Sequence, residues 1–246
     1  MSRFKGKTAI VTGAATGLGA ATSLRLGWEG ACVVVNYFGG AQKEAAEDIV
    51  KSVAAAGSRA NAIDADVSTK SGRAALLDAA ADFGPLDILV NNAVYPVLKP
   101  MAEITEEEFD RVINVNAKAV FFLCQAAVTR MREGGRIVNL SSHTTALFFP
   151  RYGLYDASKG ALEQISRVLS KEIGAKGITV NVVSPGPTDT PEFRTRPAEF
   201  IEGLKKMTAM GRIGTVDEIV NVIAFLASDE ASWLTGQNIR VNGGVV

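Results

Sequence analysis

A chain of 246 residues in which 47% are hydrophobic can bury one large core, and no proline-rich, serine-rich or low-complexity stretch divides it, so one domain is expected over residues 1–246. The 26 lysines and arginines balance the 26 aspartates and glutamates, which removes a global field for nucleic acid or an anionic membrane and leaves recognition to local chemistry. No apolar run approaches the ~20 residues of a membrane span, residues 1–6 lack the apolar core of a signal peptide, and Cys32 and Cys124 lie far apart in apolar runs that suit buried reduced thiols. A soluble, unprocessed, cytoplasmic protein with neither disulfide framework nor metal site is expected.

In chain order, residues 8–11 read as a short buried strand closed by Gly13, and apolar residues recur at helical spacing from Gly17 to about Trp28. Further strands are expected near 32–35, 60–65, 88–91, 136–141, 179–183 and 238–241. Helices are expected near 41–56, 70–81, 105–131, 155–174 and 216–228. Strands that are apolar without alternation, each followed by a helical stretch, predict a doubly wound α/β fold: a parallel sheet, Rossmann-type, covered on both faces in three layers. Residues 188–210 carry Pro191, Pro197, two arginines and two phenylalanines between the sixth strand and the next helix. An insertion at that edge is a candidate substrate lid, the alternative being a peripheral helix pair.

In such a sheet, ligands sit beyond the carboxyl ends of the strands, where amides at a helix N-terminus face a phosphate. The turn Thr12-Gly13-Ala14-Ala15-Thr16-Gly17-Leu18-Gly19 follows the first strand. Gly13 permits a tight turn, while Gly17 and Gly19 leave room for a pyrophosphate and close helix–strand packing. Thr16 and Leu18 belong to the same cofactor turn. The spacing Gly-x-x-x-Gly-x-Gly differs from the commonest dinucleotide fingerprint, so its position after the first strand carries the reading. Asp66-Val67 and Asn91-Asn92-Ala93 also fall at strand ends: Asp66 can accept from an adenine amino group and Asn91 can bond ribose or nearby backbone, with capping of a helix or turn as the alternative.

Tyr155 and Lys159 stand four residues apart, so on a helix they share a face. A neighbouring ammonium stabilises a phenolate and makes the phenol a usable acid nearer neutrality. Ser142 lies thirteen residues upstream at the end of an apolar run. Tyr152 is a poorer acid, because its i+4 neighbour Asp156 raises a phenol pKa by charge repulsion. His143, the one histidine, follows Ser142 with no Gly-x-Ser-x-Gly elbow around the serine, and reads as a pocket-rim or structural residue.

With these motifs in order, from Thr12–Gly19 through Asp66-Val67, Asn91-Asn92-Ala93, Asn116, Ser142 and Tyr155–Lys159 to Asn181-Val182-Val183-Ser184-Pro185-Gly186, the chain resembles the short-chain dehydrogenase/reductase family over residues 7–244. The likeness extends to its 3-oxoacyl-[acyl-carrier-protein] reductase-like members. The resemblance implies a nicotinamide nucleotide that supplies hydride, Tyr155 as general acid or base, and Ser142 bonding the substrate oxygen. It further implies Lys159 acting on the tyrosine and on ribose hydroxyls, and Asn116 holding a water chain to Lys159. Pro185, Gly186, Thr188 and Thr190 complete the expected cofactor contacts. Two departures stand out: Val94 occupies a position usually glycine, which narrows the pocket, and Asn242 stands where aspartate is frequent.

No carboxylate follows the second strand in Val35-Asn36-Tyr37-Phe38-Gly39-Gly40 to exclude a 2′-phosphate, and no basic residue stands there or at Thr16 to pair with one. Asn36, Tyr37 and the amides of Gly39 and Gly40 favour NADP(H), with NAD(H) as the alternative. The substrate pocket is expected to draw on Val94, Tyr95, His143, Thr144, Phe148, Phe149, Tyr152, Pro187, Thr188 and Phe193, a set suited to a hydrophobic ketone or a 3-oxoacyl thioester. Arg130 and Lys171 could meet an acyl carrier protein, or be a solvated helix face. Extra apolar residues on helices 105–131 and 155–174 favour a homotetramer. The competing classes are a general ketone, diketone or alcohol oxidoreductase and a non-catalytic dinucleotide-binding scaffold.

Overall fold

The computed structural model describes residues 2–246; Met1, the first residue of the expected domain, lies outside the described residues. Seven strands form one parallel sheet: β1 (Thr8–Val11), β2 (Cys32–Tyr37), β3 (Ala60–Asp64), β4 (Leu86–Asn91), β5 (Met131–Leu140), β6 (Thr179–Pro185) and β7 (Asn238–Val241). Their spatial order is β3-β2-β1-β4-β5-β6-β7, so the winding reverses between β1 and β4. The helices are α1 (Gly17–Trp28), α2 (Lys43–Ala55), α3 (Lys70–Ala81), α4 (Glu106–Ile113), α5 (Ala119–Val128), α6 (Gly153–Ile173), α7 (Ala198–Met207) and α8 (Val216–Leu226).

The strands are apolar on both faces because both faces are covered. In β1, Ala9 and Val11 join a core with Val33, Val35, Val90 and Val138 beneath Leu26, Ile49 and Ile223 of α1, α2 and α8. Ile10, between them, joins the opposite core with Val34, Leu89 and Ile137 beneath Leu76, Leu123 and Leu162 of α3, α5 and α6. Period two therefore persists inside a continuously hydrophobic run, dividing side chains between two cores rather than between core and water.

The helix expected over 105–131 is broken. Thr105 caps α4 through a capping box with Glu108; the chain then makes one π-turn over Asn114–Lys118, continues as α5 to Val128, and is already in β5 at Met131. Residues 188–210, the candidate lid or peripheral helix pair, hold a short 3-10 turn at Phe193–Thr195 and then α7, with Pro197 at its N-cap. Among the described residues no helix is long and apolar enough to cross a membrane.

Candidate active site

The reversal between β1 and β4 opens a crevice at the carboxyl ends of the strands, where such sheets hold their ligands. A cavity of about 490 Å³ lies there. Five chain segments bound it: the glycine turn, Gln42 in the turn after β2, the β4 exit, the β5 exit with the start of α6, and the β6 exit with the lid segment.

The glycine turn contributes Gly13, Thr16, Gly17 and Leu18. Gly13 has φ +58 and its missing side chain leaves room for Ala93, whose Cα would lie 2.8 Å from an added Cβ. A Cβ on Gly19 would lie 2.3 Å from the Gly13 carbonyl. Asn92 binds the turn from β4: its Nδ2 donates to the Thr12 and Gly13 carbonyls at 3.0 and 2.9 Å. Thr12 Oγ1 accepts from the Asn92 and Ala93 amides at 2.9 and 3.0 Å. The N-cap Thr16 makes no side-chain cap, leaving the first amides of α1 open at the cavity wall. A glycine floor beneath free helix-terminal amides fits the phosphates of a dinucleotide.

β5 delivers Ser142. It is in extended conformation, caps the 3-10 turn His143–Ala146, and accepts from the Thr144 amide at 3.2 Å. His143 lines the cavity, and its Nδ1 bonds the Pro185 carbonyl at 2.9 Å, joining the β5 and β6 exits; burial lowers its pKa. On the first two turns of α6, Tyr155 and Lys159 line the same cavity. Tyr152 and Phe149 continue the wall, with Tyr152 edge-on to Tyr155 at 6.2 Å between ring centres and Phe149 at 5.6 Å from Tyr152.

The electrostatics of the pair differ from expectation. Burial pushes the Tyr155 phenol up to about 12, with Ser142 acting in the opposite direction. Burial also brings the Lys159 ammonium down to about 8. Lys159 Nζ donates to the Leu140 carbonyl at 2.7 Å and lies 5.9 Å from the centre of the Tyr155 ring. Enclosure is the largest influence on both groups, and one of the three N–H donors of the Lys159 ammonium is taken by the Leu140 strand carbonyl.

The lid segment brings Pro187, Thr188, Thr190 and Phe193 to the cavity, beside Pro185 and Gly186 at the end of β6. A Cβ on Gly186 would lie 2.5 Å from Asn242 Cα, so the β6 exit is pressed against the C-terminal turn. Val94 lines the opposite wall and is half exposed.

Other expected contacts are not in this cavity. Asn36 is buried: its Oδ1 accepts from the Gly13 amide at 3.1 Å and its Nδ2 donates to the Tyr37 and Ala65 carbonyls at 3.0 and 2.9 Å, so it braces the turn from behind and does not meet a ribose phosphate. Tyr37 and Val67 are core residues. Asn91 points into the sheet, donating to Asn139 Oδ1 at 2.7 Å, because it stands one residue, and therefore one face, away from Asn92. Asp66 closes a turn by accepting from the Ser68 amide and hydroxyl at 2.9 and 2.6 Å, and pairs with Arg111 at 3.1 Å. Tyr95 lies outside the cavity with the Arg111 guanidinium over its ring, and Phe148 is wholly exposed. Arg130 is paired with Asp78.

Sequence reasoning missed Asn92, Gln42, Arg196, Phe200 and Leu204, all at the cavity. For Asn92 the signal was present in the alternation of faces along β4. For α7 no local signal existed, because an amphipathic helix does not say which neighbour its apolar face will meet.

Comparison with known proteins agrees with this geometry. A family model described as Enoyl-(Acyl carrier protein) reductase matches residues 13–246. An uncharacterized oxidoreductase of Methylorubrum extorquens is 43% identical over the whole of both chains, and a short chain dehydrogenase/reductase of a Cryptosporiopsis species is 41% identical over 98% of this chain and 96% of its own. Among solved structures, the angucycline C-6 ketoreductase LanV with bound NADP superposes with a TM-score of 0.92 at 39% identity, covering 99% of this chain and 97% of its own. The reductase LugOII, which catalyses keto-reduction at C1 during lugdunomycin biosynthesis, gives 0.91 at 38%, covering 99% of each chain. A short-chain dehydrogenase of Burkholderia cenocepacia in complex with NADP gives 0.93 at 36%, also covering 99% of each. Fold and relatives together define an NAD(P)-dependent oxidoreductase acting on CH–OH or C=O groups. The chain belongs to the short-chain dehydrogenase/reductase family.

Proposed function

We propose that the protein reduces the ketone of a ring-bearing, largely apolar substrate with NADPH, and that Tyr155 is the proton donor. The observation that carries the reading is the meeting of Tyr155, Ser142 and Lys159 with the glycine turn around one cavity whose wall also carries Val94, Phe149, Tyr152, Phe193, Phe200 and Leu204. Two of the similar structures are described as an angucycline C-6 ketoreductase and as a reductase that catalyses keto-reduction at C1 during lugdunomycin biosynthesis, and two are solved with NADP.

The amides of Thr16, Gly17 and Leu18 would hold the pyrophosphate, and Thr188 and Thr190 the neighbouring part of the nucleotide. When bound, the reduced nicotinamide supplies hydride to the carbonyl carbon. Tyr155 has its phenol held protonated far above neutral pH, which is the form that gives a proton to the developing alkoxide. Lys159, tied to Leu140, returns a proton to the phenol, and Asn116 orders the path behind it. No carboxylate of β2 itself stands against a 2′-phosphate, but the Gly39 amide is engaged by the Asp64 carboxylate at 3.0 Å, so NADP(H) preference rests chiefly on the relatives.

The finer reading, a 3-oxoacyl thioester as substrate, has from the matching family model only its mention of an acyl carrier protein, in the description of an enoyl reductase, and the pairing of Arg130 with Asp78 weakens the case for a carrier-protein contact there. A second, apolar groove between α5 and α6, lined by Phe121, Val128, Ile165 and Val168, supports the homotetramer. Following loss of nicotinamide absorbance with NADPH and a panel of bicyclic ketones, diketones and a 3-oxoacyl thioester tests the whole. Turnover is expected with the ring ketones and loss of about 10²-fold or more in Tyr155→Phe; cofactor binding with no turnover on any substrate would leave the scaffold class standing.

A further inference from the structure

Among the described residues, three buried side-chain polar atoms have no hydrogen-bond partner: Thr22 Oγ1, Thr179 Oγ1 and His143 Nε2. A buried polar atom without a partner calls for an explanation. Of the three residues, only His143 lines the cavity that holds Ser142, Tyr155 and Lys159. His143 is 7% exposed and its Nε2 is enclosed, so bulk water does not serve as the missing partner.

The other ring nitrogen decides what kind of partner is missing. Nδ1 lies 2.9 Å from the Pro185 carbonyl oxygen, which can only accept, so Nδ1 carries the proton. Burial favours the neutral ring, and a neutral imidazole protonated at Nδ1 has a lone pair at Nε2. The wall beside Ser142 therefore contains an acceptor, held in place by the tie between the β5 and β6 exits, and whatever satisfies it must donate an N–H or O–H. Two bound groups could bring such a donor into this cavity: a hydroxyl of the substrate and the carboxamide of a nicotinamide. Ser142 precedes His143 at the same strand exit and takes the ketone oxygen in the reading above, which favours a substituent close to the ketone.

We propose that His143 is a specificity-determining residue whose Nε2 accepts a hydrogen bond from a substrate hydroxyl close to the ketone, so that the preferred substrates are hydroxylated ring ketones. The inference rests on the reading of this cavity as the site of ketone reduction. A ketone without the hydroxyl leaves the nitrogen unsatisfied, and a methyl ether sets a second lone pair against it. Because Nε2 is enclosed, the ring edge shifts toward the cavity as the hydroxyl seats, a change that a nitrogen-specific readout detects.

Two variants divide the roles of the ring. In His143→Asn the amide nitrogen stands near the place of Nδ1 and can keep the bond to Pro185, while nothing replaces Nε2. In His143→Gln the amide oxygen reaches the place of Nε2 and keeps an acceptor there. The test is kcat/KM with NADPH on bicyclic ketones hydroxylated at successive ring positions, each compared with its methyl ether and its parent ketone. Wild type is expected to prefer at least one hydroxyketone over both by about tenfold or more. His143→Asn abolishes that ratio and His143→Gln retains part of it. His143 is the one histidine of the chain, so nitrogen NMR of histidine-labelled protein reports a single ring. With NADP present, the Nε2 resonance is expected to move on addition of the preferred hydroxyketone and to stay in place with its ether. Absence of any preference in wild type, or a preference that survives in His143→Asn, overturns the proposal, while turnover of the parent ketones leaves ketone reduction standing. A resonance that moves with NADP alone, and no further with the hydroxyketone, assigns the donor to the carboxamide and overturns it as well. No turnover of any ketone overturns both readings.

Discussion

Asn116 and Tyr95 are joined twice: the Tyr95 amide donates to Asn116 Oδ1 at 2.8 Å, and Asn116 Nδ2 donates to the Tyr95 carbonyl at 3.1 Å. The same Nδ2 donates to Ser158 Oγ at 3.0 Å, on the helix that carries Tyr155 and Lys159. The π-turn presents this side chain, fully buried, between the β4 exit and α6. An inserted residue in a helix is a device for aiming a side chain that regular winding would direct elsewhere.

Asn116→Ala therefore leaves the part-buried amide and carbonyl of Tyr95 without their partner. A loss of about 1–3 kcal/mol is expected, seen as a lower thermal midpoint, together with reduced kcat. An unchanged melting temperature would show that water replaces the amide without loss.

Gly19→Ala is expected to weaken NADPH binding at least about tenfold, because the added Cβ meets a backbone carbonyl at 2.3 Å and Asn92 Nδ2 at 2.5 Å, and neither can retreat without opening the turn. Gly203→Ala, in α7 with nothing within 4 Å of the new Cβ, should instead gain up to ~1 kcal/mol from helix propensity. Calorimetric titration and thermal melts of the two variants separate steric from conformational effects.

Asn36→Asp should destabilise the protein without changing NADP preference. Its side chain donates to two carbonyls, which a carboxylate would repel, while its position behind the glycine turn keeps it from the cofactor. Asp64→Asn, by contrast, removes a charge beside the Gly39 amide and is expected to tighten NADPH several-fold relative to NADH. The ratio of the two dissociation constants is the readout.

Lys159→Met should be at least as stable as wild type at neutral pH, though inactive. Burial holds the folded-state pKa of Lys159 at about 8, below its ordinary 10.5. The unfolded chain then binds the proton more tightly, so this group destabilises the fold in full below about pH 8, and the penalty is relieved as pH rises toward the unfolded value. A gap of roughly 2.5 pH units corresponds to about 3 kcal/mol, against which the bond to Leu140 is lost. Denaturant unfolding at pH 7 and pH 10 should show the difference between variant and wild type narrowing at the higher pH.

Strand apolarity, helix periodicity and the glycine turn made the parallel sheet, its order of elements and the place of its crevice legible in the chain, because each is set by contacts within a dozen residues or by the pleat itself. Helix α3 and strand β7 lie where their periodicity put them. The face shared by Tyr155 and Lys159 was legible for the same reason, since helical geometry alone places residues four apart on one side. What a side chain meets across the sheet was not. Asn36 and Asn91 are polar residues at strand ends, as a cofactor ligand would be, yet each is turned inward to satisfy buried backbone or another amide. Only the packing of β1 against β2 and β4 decides that orientation. The break at Asn116, the α7 wall and the bond from His143 to Pro185 likewise arise where segments distant in sequence close on one another, and there burial, not local propensity, sets both the geometry and the proton positions.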